Sequence, residues 1–201
     1  MKACQRIRAS TVSLRGSPER RSRKSRLTRA TRLALLSLVS MASAAQETTS
    51  RPCADTDAFG LLDFWVGTWE VFAADEKVGE NRIEKILDGC AIMEHWEAVS
   101  GTRGKSLFFV DDAGTWQQVW VTQMATTPGG VKEKTRIEDA PAGSVRFQGK
   151  LTHPGVGSYL DRTTLTPMED GSVRQLIEVS MDDGESWRVT FDAAYRRPRA
   201  N

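Results

Sequence analysis

Long hydrophobic runs are scarce in this chain. The longest, residues 33–42, is about half of the roughly 20 apolar residues that a membrane-spanning helix requires, so no stable membrane anchor is expected. Histidine is limited to His95 and His153 and cysteine to three residues, too few and too irregularly spaced for a zinc set, and no metal or other cofactor is expected. Gly-x-Ser-x-Gly, His-Glu-x-x-His and Cys-x-x-Cys are all missing, which removes the common hydrolase, metalloprotease and thiol-redox templates. Gly104-Lys105-Ser106 has the tail of a phosphate loop, but Val99 stands where its first glycine belongs and no helical pattern follows. Asp182-Asp183-Gly184-Glu185 lacks the twelve-residue frame of a calcium loop and reads as a turn. No stretch sustains a 3.6-residue apolar period with caps, so a helical domain is excluded as well.

Charge is abundant but unevenly placed. Residues 1–32 carry eleven basic side chains and one acidic, a net +10, while the remainder carries 17 basic and 25 acidic, a net −8. A body of that sign repels phosphate, so nucleic acid is not an expected partner. The basic segment is followed by Leu33 to Ala42 and by Ala42-Ser43-Ala44-Ala45-Gln46, an apolar core and small-residue cleavage site of a secretory signal peptide. Arg20-Arg21 lacks the apolar residues that follow a twin-arginine pair, and Ser50-Arg51-Pro52 ahead of Cys53 is not a lipoprotein site. The expected organisation is a basic n-region and signal peptide over 1–45, a lead-in with a short plug helix over 46–63, and a single domain over 64–201. The expected location is the periplasm or exterior of a bacterium. Cys53 and Cys90 are then the two cysteines of the mature part, both at strand ends, and an even pair in an oxidising compartment predicts a Cys53–Cys90 disulfide.

From Phe64 onward, short runs rich in Val, Ile, Thr, Phe and Trp alternate with turn chemistry such as Asp88-Gly89, Asp111-Asp112-Ala113-Gly114, Glu169-Asp170-Gly171 and Asp182-Asp183-Gly184. Strands are predicted near 67–74, 80–87, 91–99, 105–111, 115–123, 132–138, 144–151, 160–167, 172–180 and 186–196, with Asp75 to Gly79 as the first turn. Ten consecutive antiparallel strands on hairpins predict an all-β, up-and-down barrel, because closure removes the two edges a flat sheet leaves unpaired. A two-sheet sandwich is the alternative. Residues 55–64 read as a short helix whose Phe59, Leu61, Leu62 and Phe64 plug one barrel end.

Gly67-Thr68-Trp69 opens the first strand, and Tyr195-Arg196-Arg197 closes the last. Together with Asn81-Arg82-Ile83-Glu84, Glu94-His95-Trp96, Trp116 to Val121 and Asp183 to Trp187, these segments resemble a family of exported bacterial proteins with a lipocalin-like or nitrobindin-like barrel, over residues 53–197. The resemblance implies that Trp69 packs at the closed end beside Gly67, with Arg196 or Arg197 stacked on its indole. It carries no established activity. Nitrobindin-like proteins hold haem through a last-strand histidine shortly before a tyrosine matching Tyr195; here Thr190 and Asp192 occupy that region and no histidine follows His153, so haem is not expected.

Strand alternation places Trp116, Gln118 and Trp120 on one face, Glu94 and Trp96 on one face of another strand, and Arg174 and Glu178 together on a third. With their tryptophans turned inward, Glu94, Trp96, Trp116, Gln118, Trp120, Arg174 and Glu178 form the candidate ligand site, and a small, largely apolar molecule is the expected partner. One alternative is an isomerase or hydrolase using Glu94, Glu178 or His95 as acid or base with Arg174 holding an anion. Another is an envelope interaction module that uses its outer face.

Overall fold

A computed structural model describes Cys53 and residues 56–199; the leader, residues 1–45, lies outside the described residues. The strands are β1 (Gly67–Ala73), β2 (Glu76–Ile86), β3 (Ala91–Ala98), β4 (Arg103–Val110), β5 (Trp116–Thr122), β6 (Val131–Ile137), β7 (Val145–His153), β8 (Gly157–Pro167), β9 (Val173–Ser180) and β10 (Arg188–Arg196). Each pairs antiparallel with its sequence neighbours, and β10 returns to β1 through Glu70↔Arg196, Val71↔Tyr195 and Phe72↔Ala194, closing a ten-stranded barrel. The sandwich alternative is excluded, because a single sheet runs through all ten strands.

The hairpins are held by the turn chemistry their residues dictate. Asp111 Oδ1 accepts from the backbone N–H groups of Ala113 (3.0 Å) and Thr115 (2.9 Å), and Asp182 Oδ1 accepts from that of Ser186 (2.9 Å). The first turn differs from its sequence reading. It is the pair Ala74-Asp75, with φ of 47° and 66°, the two-residue reversal whose twist suits a hairpin, and β2 begins at Glu76. Gly79 therefore sits inside β2, and a β-bulge between Val71 and Phe72 takes up the register.

The predicted plug helix is also corrected. Residues 57–65 form two 3₁₀ turns, Asp57–Phe59 and Asp63–Trp65, with Gly60 ending the first, so no continuous helix fills the segment. The plugging itself takes place, with Leu62 and Trp65 fully buried at the end where β1 begins and β10 ends. Trp116 Nε1 donates to Ala58 O (2.9 Å) and Trp69 Nε1 to Trp65 O (2.8 Å), which latches the segment to the barrel. Cys53 and Cys90 form a disulfide, their Cα atoms 4.9 Å apart, tying the same segment to the β2–β3 connection. Of the two arginines, Arg197 lies over Trp69, 3.7 Å from the ring centroid, and donates to Val66 O (3.0 Å), whereas Arg196 lies over Phe72 and pairs with Asp75. The Arg197 guanidinium occupies the space beside Gly67 that a Cβ would need, and φ of 132° at Gly67 reinforces the choice of glycine there.

The inward residues stack in three layers along the barrel axis. Nearest the plug are Trp69, Ile83, Ile92, Phe108, Trp116, Val145, Leu165 and Val173, all buried, with Phe147 meeting Phe108 edge-on at 5.3 Å. Two residues further along several strands the inward positions turn polar, at Asn81, Glu94, Ser106, Gln118, Thr163 and Gln175. Two residues further still they are glycine or aromatic, at Gly79, Trp96, Gly104, Trp120 and Phe191, or the aliphatic Ile177.

Candidate functional site

The polar layer is the floor of a cavity of about 370 Å³ that opens at the end opposite the plug. Its walls are Trp96 on β3, Trp120 on β5, Ile177 on β9 and Phe191 on β10, with Pro128 and Gly129 of the β5–β6 connection at the mouth. Two wall indoles rest where glycine leaves room. A Cβ on Gly79 would meet Trp96 Cη2 at 2.5 Å, and one on Gly104 would collide with the six-membered ring of Trp120. Trp96 is held edge-on to Phe191, ring centroids 6.3 Å apart.

The floor is a connected set of side-chain hydrogen bonds. Asn81 Nδ2 donates to Glu94 Oε1 (2.7 Å) and Ser106 Oγ donates to Glu94 Oε2 (2.6 Å). Gln118 Nε2 donates to Ser106 Oγ (3.2 Å), as it must, because the single hydroxyl proton of Ser106 is spent on Glu94. Gln118 Oε1 is thereby left buried without a partner on the cavity lining, and Asn81 Oδ1 is likewise unpartnered. Tyr195 OH donates to Gln175 Oε1 (2.8 Å) and accepts from Asn81 Nδ2 (3.3 Å). On the facing side, Lys132 Nζ donates to Asp161 Oδ2 (2.7 Å), and Lys134 Nζ donates to both Asp161 Oδ1 and Thr163 Oγ1, the latter at 2.6 Å.

Burial sets the protonation of this layer. Desolvation raises the Glu94 carboxyl above its ordinary value against the opposing hydrogen bonds from Ser106 and Asn81, and drives the Tyr195 phenol well up. Lys134 is pulled down to about 8 by desolvation, offset in part by Asp161. Burial pushes Asp161 upward, but the ammonium groups of Lys134 and Lys132 hold it below the ordinary carboxylate range. Among the described residues, no three His, Cys, Asp or Glu side chains converge as a metal set.

Of the sequence-predicted site, Glu94, Trp96, Gln118 and Trp120 line this cavity together. The other three do not. Trp116 faces inward but lies one layer deeper, in the closed-end core under Ala58 and Phe59. Arg174 points outward and forks onto Asp192 (2.7 and 2.6 Å), and Glu178 points outward to accept from Arg162 (2.7 and 3.1 Å). Both belong to the β9 face opposite Gln175 and Ile177, and a charged pair satisfied on the outer surface explains them. His95 is also external, between Glu84 (2.7 Å) and Lys105 (2.5 Å). Sequence reasoning missed Lys132, Lys134, Thr163, Gln175, Ile177 and Phe191. Part of the signal for the lysines was present, since two lysines at i and i+2 in a strand share a face. No family model matches the chain, and no match is found among curated proteins.

Proposed function

We propose that this protein is an exported, lipocalin-like barrel that binds a small, largely apolar molecule in its lumen. The observation that carries the reading is the cavity of about 370 Å³, walled by Trp96, Trp120, Ile177 and Phe191 above a buried hydrogen-bonded floor. Apolar walls with a few fixed polar groups are the usual make-up of a small-molecule site, and this volume lies at the lower end of the ordinary range, which suits a one- or two-ring body. The plug and the disulfide leave the opposite end as the way in. Export is supported by the small-residue site after Leu33 to Ala42 and by the Cys53–Cys90 disulfide, a bond that persists in oxidising compartments. The lipocalin-like reading is supported by Gly67-x-Trp69 with Arg197 stacked on its indole. Of the groups named for catalysis on the same scaffold, Glu94 alone lies in the lumen, because Arg174, Glu178 and His95 are external.

The test is titration of the barrel with 1-naphthol, followed by tryptophan fluorescence, beside Ile177→Trp, which fills the lumen from β9. Saturable quenching that the variant abolishes supports the reading. Quenching of equal strength in both proteins would place the binding elsewhere and overturn it.

A further inference from the structure

We propose that the lumen takes an organic carboxylate, its anionic head seated on Lys132 and Lys134 and its apolar body directed towards Trp96 and Trp120. The inference rests on the reading of the lumen as a ligand site, and adds the chemistry of the head group.

Strand β6 alone turns two lysines inward, and both ammonium groups converge on one carboxylate, Asp161 of β8. The cluster therefore holds one more cation than anion. Glu94, the other acid of the lumen, also acts electrostatically on Lys134, but its two oxygens take their hydrogen bonds from Asn81 and Ser106, so it occupies none of the ammonium donors. Lys134 is almost fully enclosed, with 2% of its side chain exposed, and two ammonium groups offer six N–H donors, of which the side-chain bonds to Asp161 and Thr163 use three. Such an excess of buried donors is satisfied by an acceptor that arrives with the ligand. Lys132 is the more open of the two, with 20% of its side chain exposed, and lines the cavity with Pro128 and Gly129 of the mouth, so an incoming anion has a path to the pair. The groups that face the lysines from other strands are Asp161 and Thr163 on β8 and Glu94 on β3. Thr163 is a hydroxyl able to donate to the anion. Burial, with the neighbouring Lys132 adding to it, lowers the proton affinity of Lys134 against the opposing pull of Asp161 and Glu94.

The experiment is calorimetric titration of the full-length processed protein with three probes of one shape: 2-naphthoate, 2-naphthamide and 2-naphthylmethylamine. A charge-assisted contact predicts that the carboxylate binds about tenfold or more tightly than the amide, with the amine weakest. Lys132→Met is expected to narrow the carboxylate-over-amide preference to about threefold or less, while Lys150→Met, on an outer-face pair with Asp183, leaves it in place. Equal binding of acid and amide, or preference for the amine, would overturn the anion site while leaving a lumen ligand site standing. Binding of none of the three would overturn both. Should Lys132→Met not fold, the three-probe comparison on the unaltered protein decides alone.

Discussion

Gly79 and Gly104 do related work from two strands, since each leaves the space over which a wall indole lies. At Gly79 the added Cβ would also meet Glu97 O at 2.6 Å, and backbone cannot swing aside as a ring does. Gly79→Ala is therefore expected to destabilise the barrel by about 1–3 kcal/mol, read by urea unfolding, and Gly104→Ala by less, because Trp120 can tilt into the lumen. Glu94 couples stability to pH. Its carboxyl is raised above 4.5 in the folded protein, so the native state binds more protons than the unfolded chain, and stability falls as pH rises through the window from about 4.5 upward. Glu94→Gln removes that term and brings a donor for Asn81 Oδ1; it is expected to stabilise by about 1 kcal/mol at pH 7 and by little at pH 4. Equal effects at both pH values in denaturant melts would contradict the assignment. Residue by residue, alternation made Glu94, Trp96, Gln118 and Trp120 legible. It misplaced Arg174 and Glu178 because parity defines two faces without saying which is wet. It misplaced Trp116 because parity says nothing of depth along the barrel axis.

At the scale of elements, all ten strands were legible because Gly and Asp turns recur between β-branched and aromatic runs. The Ala74-Asp75 reversal escaped because its positive-φ positions carry no glycine, and the nearest glycine, Gly79, serves Trp96 instead. The plug read as one helix because its apolar residues have nearly helical spacing, yet Gly60 and the latch from Trp116 to Ala58 hold it as two short turns. Its other fastening is the disulfide, which closes a separation of 37 residues. In the chain-entropy account such a link contributes about 3–4 kcal/mol, so Cys53→Ser with Cys90→Ser is expected to lower the melting temperature while the far-ultraviolet spectrum of the strands persists below it. Unchanged melting in the double variant would show that the latch alone holds the plug.

For the whole molecule, the arrangement is an axial gradient: an apolar core under the plug, a polar layer across the middle, and an aromatic vestibule at the mouth. The inward residues of β5 show it in three steps, Trp116, Gln118 and Trp120. The six tryptophans mark this axis, with Trp65, Trp69 and Trp116 at the closed end, Trp96 and Trp120 around the cavity, and Trp187 outside against Arg162. Ligand binding in the lumen above the polar layer is read from the indole N–H resonances of these six residues during titration with 1-naphthol. Large, saturable shifts are expected for Trp96 and Trp120, with Trp65, Trp69, Trp116 and Trp187 nearly unmoved; shifts led by Trp187 or by the closed-end indoles, or no shift in any of the six, would contradict a ligand site in the lumen.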